Sequence, residues 1–544
     1  MDEEYGYQVV KMVSMSDVFD SSKRESYYFA YEYRRKSNVI GNFSSFMVYY
    51  AEEIRSLPYY TKRITFSHDF RGPLQQIQFP PHVTHLDLGI FFDNHVNKLI
   101  LPETLTHLAL GNCFDKPLRF PNLSTLKFLT HISFGFWFNQ LITTELVQLK
   151  SLTHLTFGGS FNQPVDFMKL PESLKHLSFG LQFSHPVGKL KLPTSLTYLE
   201  FGGFFNPSLN DLKFPDSLEQ LKFGHDFNQS LNGCALPKFL RTLTFGGDYD
   251  ANVDGLVLPT SGSFTYLEFG HNFNQSIDNL VLPNSLQHLV FGKFFDKPVD
   301  TIKLPKSLQR LSFGSKFKQC LNNLDLFMSL QQLDCGSAKI NIDKLPKSLT
   351  HLTIGSYHTT SDEVFDLSKF DKLTRFILGV GFNQSVDGHK LILPKLLTHL
   401  TFETGFNQSV DNLILPPNLT YLKFGSGFNR SVNNLAIPST LAHLIFGDNF
   451  NQSIEHFKID HLKSLRHLAF GNNFNQSVNH LNLQNSASLT YLSFGKSFAP
   501  RSIIIPKSLV HIKFGSQLIN CWTISGYKII KLSILKKEVV ISRD

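Results

Sequence analysis

The stretch LTFGGSFNQPVD, residues 155–166, recurs along the chain with small changes, for example as LEFGHNFNQSID at 267–278 and LAFGNNFNQSVN at 468–479. We take the first Phe of this phrase as a marker. The marker position occurs 21 times, most often at steps of 22 residues, and carries Phe in 16 of the 21 copies. A period of this length indicates one repeat array rather than several independent domains.

Each copy fits the consensus L-P-x-S-L-x-x-L-x-F-G-x-x-F-N-Q-x-V-x-x-L-x. The L-x-F segment alternates as a short strand does, whereas the Pro and the Gly leave no room for a long helix. One copy has too few apolar positions to form a core, but stacked copies complete one another's core. The sequence therefore predicts a mainly β solenoid of about 21 units of 22 residues, whose strands pair in parallel ~4.8 Å apart.

The recurring residues of the phrase have predicted structural roles. The two Phe positions are expected to fill the core, and the Gly is expected to provide a positive φ or a close backbone approach. The Asn after the second Phe is predicted to be buried and to bond the backbone of adjacent coils as a ladder. We therefore interpret the N-x-S sequons that this Asn creates as structural rather than as glycosylation sites.

The repeated F-G-x-x-F-N-Q phrase, with its L-P-x-S-L lead-in, resembles the FNIP repeat family of amoebal proteins and their large DNA viruses. The resemblance covers residues 56 to about 515. It implies a leucine-rich-repeat-like fold, because the family is regarded as related to leucine-rich repeats and L-x-x-L-x-F is a variant of their strand signature. Members of the family generally have no known molecular function, so the resemblance indicates architecture rather than activity.

The segments outside the repeat are predicted to cap the solenoid. Residues 1–55 hold 8 of the 17 Tyr and lack the consensus, and we predict that they form a short helical N-terminal cap. Residues 56–515 form the repeat solenoid, and residues 516–544 are predicted to be strands that end it. Between Cys335 and Leu378 the spacing of the markers shortens to 19 and then lengthens to 24, which predicts a bent or looser section.

A column of rings precedes the markers by three residues. Eleven of the 22 His occupy this column, and Tyr takes the same place in four other units. Because the Leu and Phe of each strand point inward, the column is predicted to point outward, on the face that is concave in leucine-rich repeats. The candidate binding face consists of His85, His107, His131, His154, His176, Tyr198, Tyr266 and His288.

Three interpretations of the column stay open at this point: a solvated ladder of rings without a ligand, a recognition surface for another protein, and a metal site. Exposed rings with few charges suit the centre of a protein interface. A zinc ion needs ligand atoms that converge on one point, whereas a straight column of His places its nitrogens along a line and includes no carboxylate. Because each protonation discourages the next, the His are expected to titrate below the free value of ~6.5.

Composition and motifs argue against most other classes of function. The net charge of +8 is spread over 544 residues, so nucleic-acid binding is not expected. No apolar run reaches the ~20 residues that span a bilayer, and the five Cys form no C-x-x-C pair, which favours an intracellular, cytoplasmic protein. Because no nucleophile elbow, P-loop or H-E-x-x-H motif is present, we expect no catalytic residues, no cofactor and no metal.

The function predicted from the sequence is a non-catalytic scaffold for protein–protein interaction, monomeric, with a protein partner of unknown identity. The alternative is a substrate-recognition adaptor of a ubiquitin ligase, because some viral relatives place an F-box ahead of their FNIP repeats. Residues 1–55 lack the Leu-Pro start and the regular helical Leu/Ile pattern of such a box. That alternative therefore requires a divergent, F-box-like N-terminus.

Overall fold

The computed structural model describes residues 45–71, 77–322, 324–355, 364–387, 390–459, 461–481, 483, 486–499, 506–515 and 517–520. These residues form stacked units that share one continuous sheet of 23 strands. Each of the 21 repeat units contributes one short strand to that sheet, and one further strand lies at each end. The prediction of a mainly β, leucine-rich-repeat-like solenoid is confirmed.

The strands, numbered in chain order, are β1 (Ser45–Tyr50), β2 (Arg63–Arg71), β3 (His85–Asp87), β4 (His107–Ala109), β5 (His131–Ser133), β6 (His154–Thr156), β7 (His176–Ser178), β8 (Tyr198–Glu200), β9 (Gln220–Lys222), β10 (Thr242–Thr244), β11 (Tyr266–Glu268), β12 (His288–Val290), β13 (Arg310–Phe313), β14 (Cys320–Leu321), β15 (Gln332–Cys335), β16 (Lys339–Ile340), β17 (His351–Ile354), β18 (Phe365–Asp366), β19 (Arg375–Leu378), β20 (Leu391–Ile392), β21 (His399–Phe402), β22 (Tyr421–Phe424), β23 (His443–Ile445), β24 (His467–Ala469), β25 (Tyr491–Phe494), β26 (His511–Phe514) and β27 (Gln517–Asn520). The short pairs β14–β16 and β18–β20 form two small separate sheets.

Helical structure in the described ranges is limited to short 3-10 turns. They are Ala51–Ser56, Leu123–Thr125, Leu146–Gln148, Leu324–Leu326, Ile342–Lys344 and Asn479–Leu481. Within those same ranges, no helix has the length and apolar character that a membrane span requires. The Pro and Gly of every unit explain this scarcity, because both residues interrupt helices.

Consecutive strands of the large sheet pair in parallel and place the same consensus positions side by side. His85 pairs with His107 in this way. The pairing is continuous from β15 through β17 to β19, where the marker spacing is irregular, although residues 356–363 lie outside the described residues. At the far end β27 runs antiparallel to β26, which ends the parallel series.

The sheet begins upstream of the predicted repeat. β1 pairs in parallel with β2, and Ala51–Ser56 is a single 3-10 turn. The predicted helical cap therefore does not hold for residues 45–50, which form the first strand because their apolar Phe46 and Val48 alternate along an extended segment. Residues 1–44, which carry the rest of that prediction, and residues 521–544 of the predicted C-terminal strands lie outside the described residues.

The two Phe positions form stacked columns in the core, as predicted. The ring of Phe157 lies 5.2 Å from that of Phe134 and 5.6 Å from that of Phe179, measured between centroids. Within its own unit Phe157 lies 4.1 Å from Phe161. Phe157 is 3% exposed and Phe161 is fully buried. Each ring thus contacts rings above, below and beside it, which links neighbouring coils through aromatic contacts.

The Gly after the marker allows adjacent coils to approach closely. A Cβ atom on Gly158 would lie 1.7 Å from the carbonyl oxygen of Gly135, and one on Gly180 would lie 1.6 Å from that of Gly158. Positive φ angles occur after the marker only in a few described units, such as those of Gly89 and Gly336. Of the two predicted reasons for this Gly, close approach is therefore the more general one.

The Asn after the second Phe forms the predicted ladder, but the prediction that it is buried was wrong. Asn162 donates its backbone N–H to Asn139 Oδ1 at 2.9 Å, and Gln163 Nε2 donates to the same oxygen at 3.1 Å. In the next coil Ser184 N–H donates to Asn162 Oδ1. The Asn positions are half-buried or exposed. Because the preceding Phe points inward, the Asn faces outward and bridges the coils along the surface.

Candidate binding face on the sheet

The candidate face is the outward-facing first residue of the strands. His154 is half-buried, whereas the adjacent Leu155 is fully buried. The same alternation holds at His131 and Ile132. The column therefore points away from the core, as the alternation of the sequence predicts.

Six rings in six consecutive units form an unbroken stack, which we call the histidine stack. Its members are, in order along the sheet, His85, His107, His131, His154, His176 and Tyr198. Successive ring centroids lie 4.2, 4.1, 4.1, 5.4 and 4.1 Å apart. The other two candidates, Tyr266 and His288, form a separate tilted pair at 5.8 Å. Gln220 and Thr242 occupy the column between the two groups.

A Thr precedes four of the five stacked His, all but His176, and it holds the imidazole ring in place. Thr106 Oγ1 lies 2.8 Å from His107 Nδ1 and 2.9 Å from the carbonyl oxygen of Thr84. Two oxygens at that distance repel each other unless a proton lies between them, so the hydroxyl donates to the carbonyl and accepts from Nδ1–H. Nε2 of His107 is then left as an unprotonated acceptor. Thr130 and His131 repeat the arrangement.

The Thr positions were not among the residues that the sequence patterns singled out. The recurring dipeptide Thr-His, as in the segment LTHL at 152–155, was the available signal. Its significance depends on a carbonyl oxygen of the preceding coil, which a single unit does not contain. The stack therefore combines a column of rings with a neighbouring column of Thr hydroxyl groups.

Burial is the main reason that the stacked His are neutral. Desolvation is the largest cause of the lowered pKa of all five His in the stack. It lowers the pKa of His131 to about 4, with His154 and His107 as the next contributors. The predicted direction of the shift is confirmed, but burial outweighs the repulsion between neighbouring rings. At neutral pH the stack is thus an uncharged row of rings.

We expect the stack to make the protein less stable in mild acid. Unfolded His takes up a proton near pH ~6.5, whereas folded His131 does so only near a pKa of about 4. Between these values the unfolded state binds more protons, so the free energy of unfolding falls as the pH falls. Denaturant unfolding at pH 7.5, 6 and 5 should show a smaller acid loss for His131→Gln than for the unmodified chain. Equal losses would mean that His131 does not contribute to this pH dependence.

The geometry of the stack does not suit a shared metal ion. The first four rings are within 10° of parallel to their neighbours. Their Nε2 lone pairs therefore point the same way and do not converge on one centre, as tetrahedral zinc requires.

A separate group of possible metal ligands lies on the turns of two adjacent units. Among the described residues, His225, Asp226 and Asp248 place three donor atoms within 4.8 Å of one another. His225 Nδ1 lies 2.9 Å from Asp226 Oδ1 and 3.5 Å from Asp248 Oδ2. A hydrogen bond to Asp226 and the charge of Asp248 raise the pKa of His225. Ion pairing on an exposed turn accounts for this group.

A second exposed feature lies on the turns of the units that carry the histidine stack. In four of these six units large apolar side chains occupy one or both of the two positions after the Gly of the turn, and we call them the apolar ridge. The ridge consists of Ile90, Phe91, Phe136, Trp137, Leu181 and Phe204, with exposed fractions of 41–57%. The consensus marks these two positions only as variable, so the sequence patterns did not reveal the ridge.

Stacked parallel strands, a close-packed turn and ladders between coils define a leucine-rich-repeat-like solenoid. The FNIP Repeat family model matches residues 150–182, 183–226, 261–294, 382–427 and 406–449, and the model of the BspA type leucine rich repeat region (6 copies) matches residues 56–157. The crystal structure of CroV588, a giant-virus protein described as a novel circular LRR protein, is 32% identical and superposes with a TM-score of 0.53. The match covers 86% of this chain and 80% of that one. The chain belongs to the FNIP repeat family of leucine-rich-repeat-like proteins.

Two further solved structures are similar at lower levels. YopM from Yersinia enterocolitica WA-314 is 18% identical, with a TM-score of 0.41, over 90% of this chain and 99% of that one. The functional domain of InlJ from Listeria monocytogenes is 14% identical, with a TM-score of 0.36, over 74% of this chain and 75% of that one. No curated protein matches the chain significantly.

Proposed function

We propose that the protein is a non-catalytic repeat scaffold that binds a protein partner through the histidine stack. The observation that supports this function is the unbroken row of six rings, uncharged at neutral pH, on the outer face of the sheet. Aromatic surfaces with few charges suit the centre of protein interfaces, where charged residues are depleted. The six units span ~24 Å at the usual strand spacing, a length suited to an interface of ordinary size.

Within the ring column itself, charged residues flank the two ends of the stack, and Lys175, which precedes His176 and helps to lower the pKa of His154, lies alongside it. Arg63 occupies the same column one unit before His85. At the other end Glu200 pairs with Lys222 at 2.7 Å and accepts a hydrogen bond from the Tyr198 hydroxyl at 3.1 Å. An apolar centre with charges at its rim is the usual layout of a protein interface.

FNIP and leucine-rich repeats are generally non-enzymatic scaffolds, and we propose that this chain acts without a cofactor, as a monomer inside the cell. The ubiquitin-ligase alternative depends on residues 1–55. Their described part, residues 45–55, forms a strand and a 3-10 turn and does not favour that alternative.

The test is a variant that removes three adjacent rings from the middle of the stack. It combines His131→Ser, His154→Ser and His176→Ser. We expect an unchanged circular dichroism spectrum and a ~10-fold or greater loss of partner recovery, because central rings carry most of the energy of such interfaces. The measurement is affinity capture from the native cell with quantitative mass spectrometry.

A matched control makes the same chemical change outside the column. It combines His95→Ser, His185→Ser and His456→Ser. We expect this control to retrieve the same proteins as the unmodified chain. If both triple variants retrieve them at the same strength, the histidine stack is only a solvated ladder of rings.

A further inference from the structure

We propose that residues 1–44 of the chain dock on the apolar ridge and cover it. The six ridge side chains lie on the turns of the second, fourth, sixth and seventh units, along one edge of the solenoid. Exposed apolar side chains at the same turn in four of six successive units differ from the single exposed apolar residues that are normal on protein surfaces, and such a patch marks a docking site.

The ridge is shaped by glycines that alternate with its large side chains. A Cβ atom on Gly159 would lie 2.4 Å from the ring of Phe136, and one on Gly203 would lie 2.3 Å from Leu181 Cδ1. Phe136 and Leu181 therefore lie flat across the next unit instead of standing into solvent. Beside Phe136, Trp137 packs edge to face at 5.0 Å between centroids. The result is a shallow apolar strip that can accept rings from another segment.

The position of the ridge favours an occupant attached at the N-terminal end of the sheet. In later described units the same two turn positions carry polar residues, such as Thr404, Ser426 and Asp448. The exposed apolar residues at these positions beyond the ridge, Phe294 and Val380, lie several units apart, in separate parts of the sheet. At these turn positions apolar exposure is thus concentrated in the units of β3 to β8, in the N-terminal part of the sheet, and residues 1–44 directly precede β1 at that end.

The length and composition of the N-terminal segment match this placement. Phe204, the farthest ridge residue, belongs to the unit of β8, seven strands or ~34 Å from β1. Because the segment joins β1 at the end opposite the turns, it must also cross a strand length of ~20 Å, and about twelve extended residues span the combined distance. Residues 1–44 contain six Tyr and three Phe, and the run YYFAYEY at 27–33 carries five of these rings. Attachment to β1 also gives the run a high effective concentration at the ridge. We therefore assign the run at 27–33 as the part that contacts the ridge.

Fluorescence of Trp137 in the full-length chain tests this contact. The chain has two Trp, and Trp522→Phe leaves Trp137 as the only one. Into that background we introduce Tyr27→Ser, Tyr28→Ser and Phe29→Ser together. Acrylamide should quench Trp137 about twofold more strongly in the triple variant, because rings packed over the indole shield it. Equal quenching in both full-length proteins would overturn the proposal.

Photo-crosslinking identifies the occupant directly. Leu181→benzoylphenylalanine is compared with Ser426→benzoylphenylalanine, which occupies the same turn position in a later unit. We expect the first variant, and not the second, to crosslink to peptides from residues 1–44 of the same chain. In a mixture of light and heavy isotope-labelled chains, mixed crosslinks would show a second copy on the ridge and overturn the proposal. The absence of any crosslink from position 181 to residues 1–44 would also overturn the proposal.

The two proposals fail independently. The fluorescence and crosslinking readouts involve neither the partner nor the histidine stack. A negative result on the ridge therefore leaves the binding proposal intact, and loss of binding by the stack variant leaves the ridge proposal intact.

Discussion

Gly158→Ala is expected to destabilise the solenoid by ~3 kcal/mol or more, because the new methyl group would overlap the backbone of the preceding coil. Its Cβ would lie 1.7 Å from the carbonyl oxygen of Gly135 and 2.4 Å from the carbonyl carbon. That backbone is held in place, since Phe134 N–H donates to the carbonyl oxygen of Thr156 at 2.9 Å. The two coils must separate locally to accept the methyl group.

The next residue provides a matched control. A Cβ on Gly159 would lie 2.4 Å from Cε2 of Phe136, the far end of a surface side chain that can shift more easily than the backbone that Gly158 faces. We expect Gly159→Ala to cost less than ~1 kcal/mol. Because long repeat arrays can unfold in parts, amide exchange of the flanking strands should accompany denaturant unfolding. Equal costs for the two variants would show that the backbone contact is not what limits this position.

Phe157→Ala is expected to cost ~3–5 kcal/mol, the usual range for a buried aromatic ring. The substitution would leave a void among Phe134, Phe161 and Phe179, whose centroids lie 4.1–5.6 Å from that of Phe157. A rigid column cannot collapse into the void, because each of these rings also stacks on further coils. Denaturant unfolding of purified variants measures the loss.

The adjacent Thr156 tests the inward and outward assignment. Its side chain is half-buried on the opposite side of the strand, so Thr156→Ala should change the free energy of unfolding by no more than ~0.5 kcal/mol. If Thr156→Ala destabilised the protein as much as Phe157→Ala, the alternation that underlies both the core and the histidine stack would be wrong.

The parts of the fold that depend on one unit could be predicted from the sequence. The single strand that each repeat unit contributes to the large sheet, the two Phe columns and the outward direction of the ring column follow from a consensus in which every unit obeys the same constraints. The sequence also predicts that the pKa of His131 lies below that of free His, although it does not predict by how much. These features need only the alternation of a strand and the requirement that stacked units share a core.

The features that depend on contacts between coils could not be read from a single unit. The Ser of the lead-in is an example, since Ser173 Oγ donates to the carbonyl oxygen of Leu152 in the preceding coil at 2.7 Å. The surface position of the Asn ladder has the same origin. The apolar ridge was missed for a different reason, because a consensus reduces its two variable positions to x. The ridge is visible only when the residues at those positions are compared from unit to unit.

Strand pairing is the same across units of different length, so the array can gain or lose residues during evolution without losing its register. Tyr266 pairs with Thr242 across 24 residues, just as His288 pairs with Tyr266 across 22. The extra residues lie around Gly262, which has a φ of 86° and open space where a Cβ would be. Short insertions are thus absorbed at one edge, and a duplicated or deleted unit meets the same neighbours as the original. A gene for this protein can therefore lengthen or shorten the array one unit at a time, and each event alters the area of the outer face without requiring a new core.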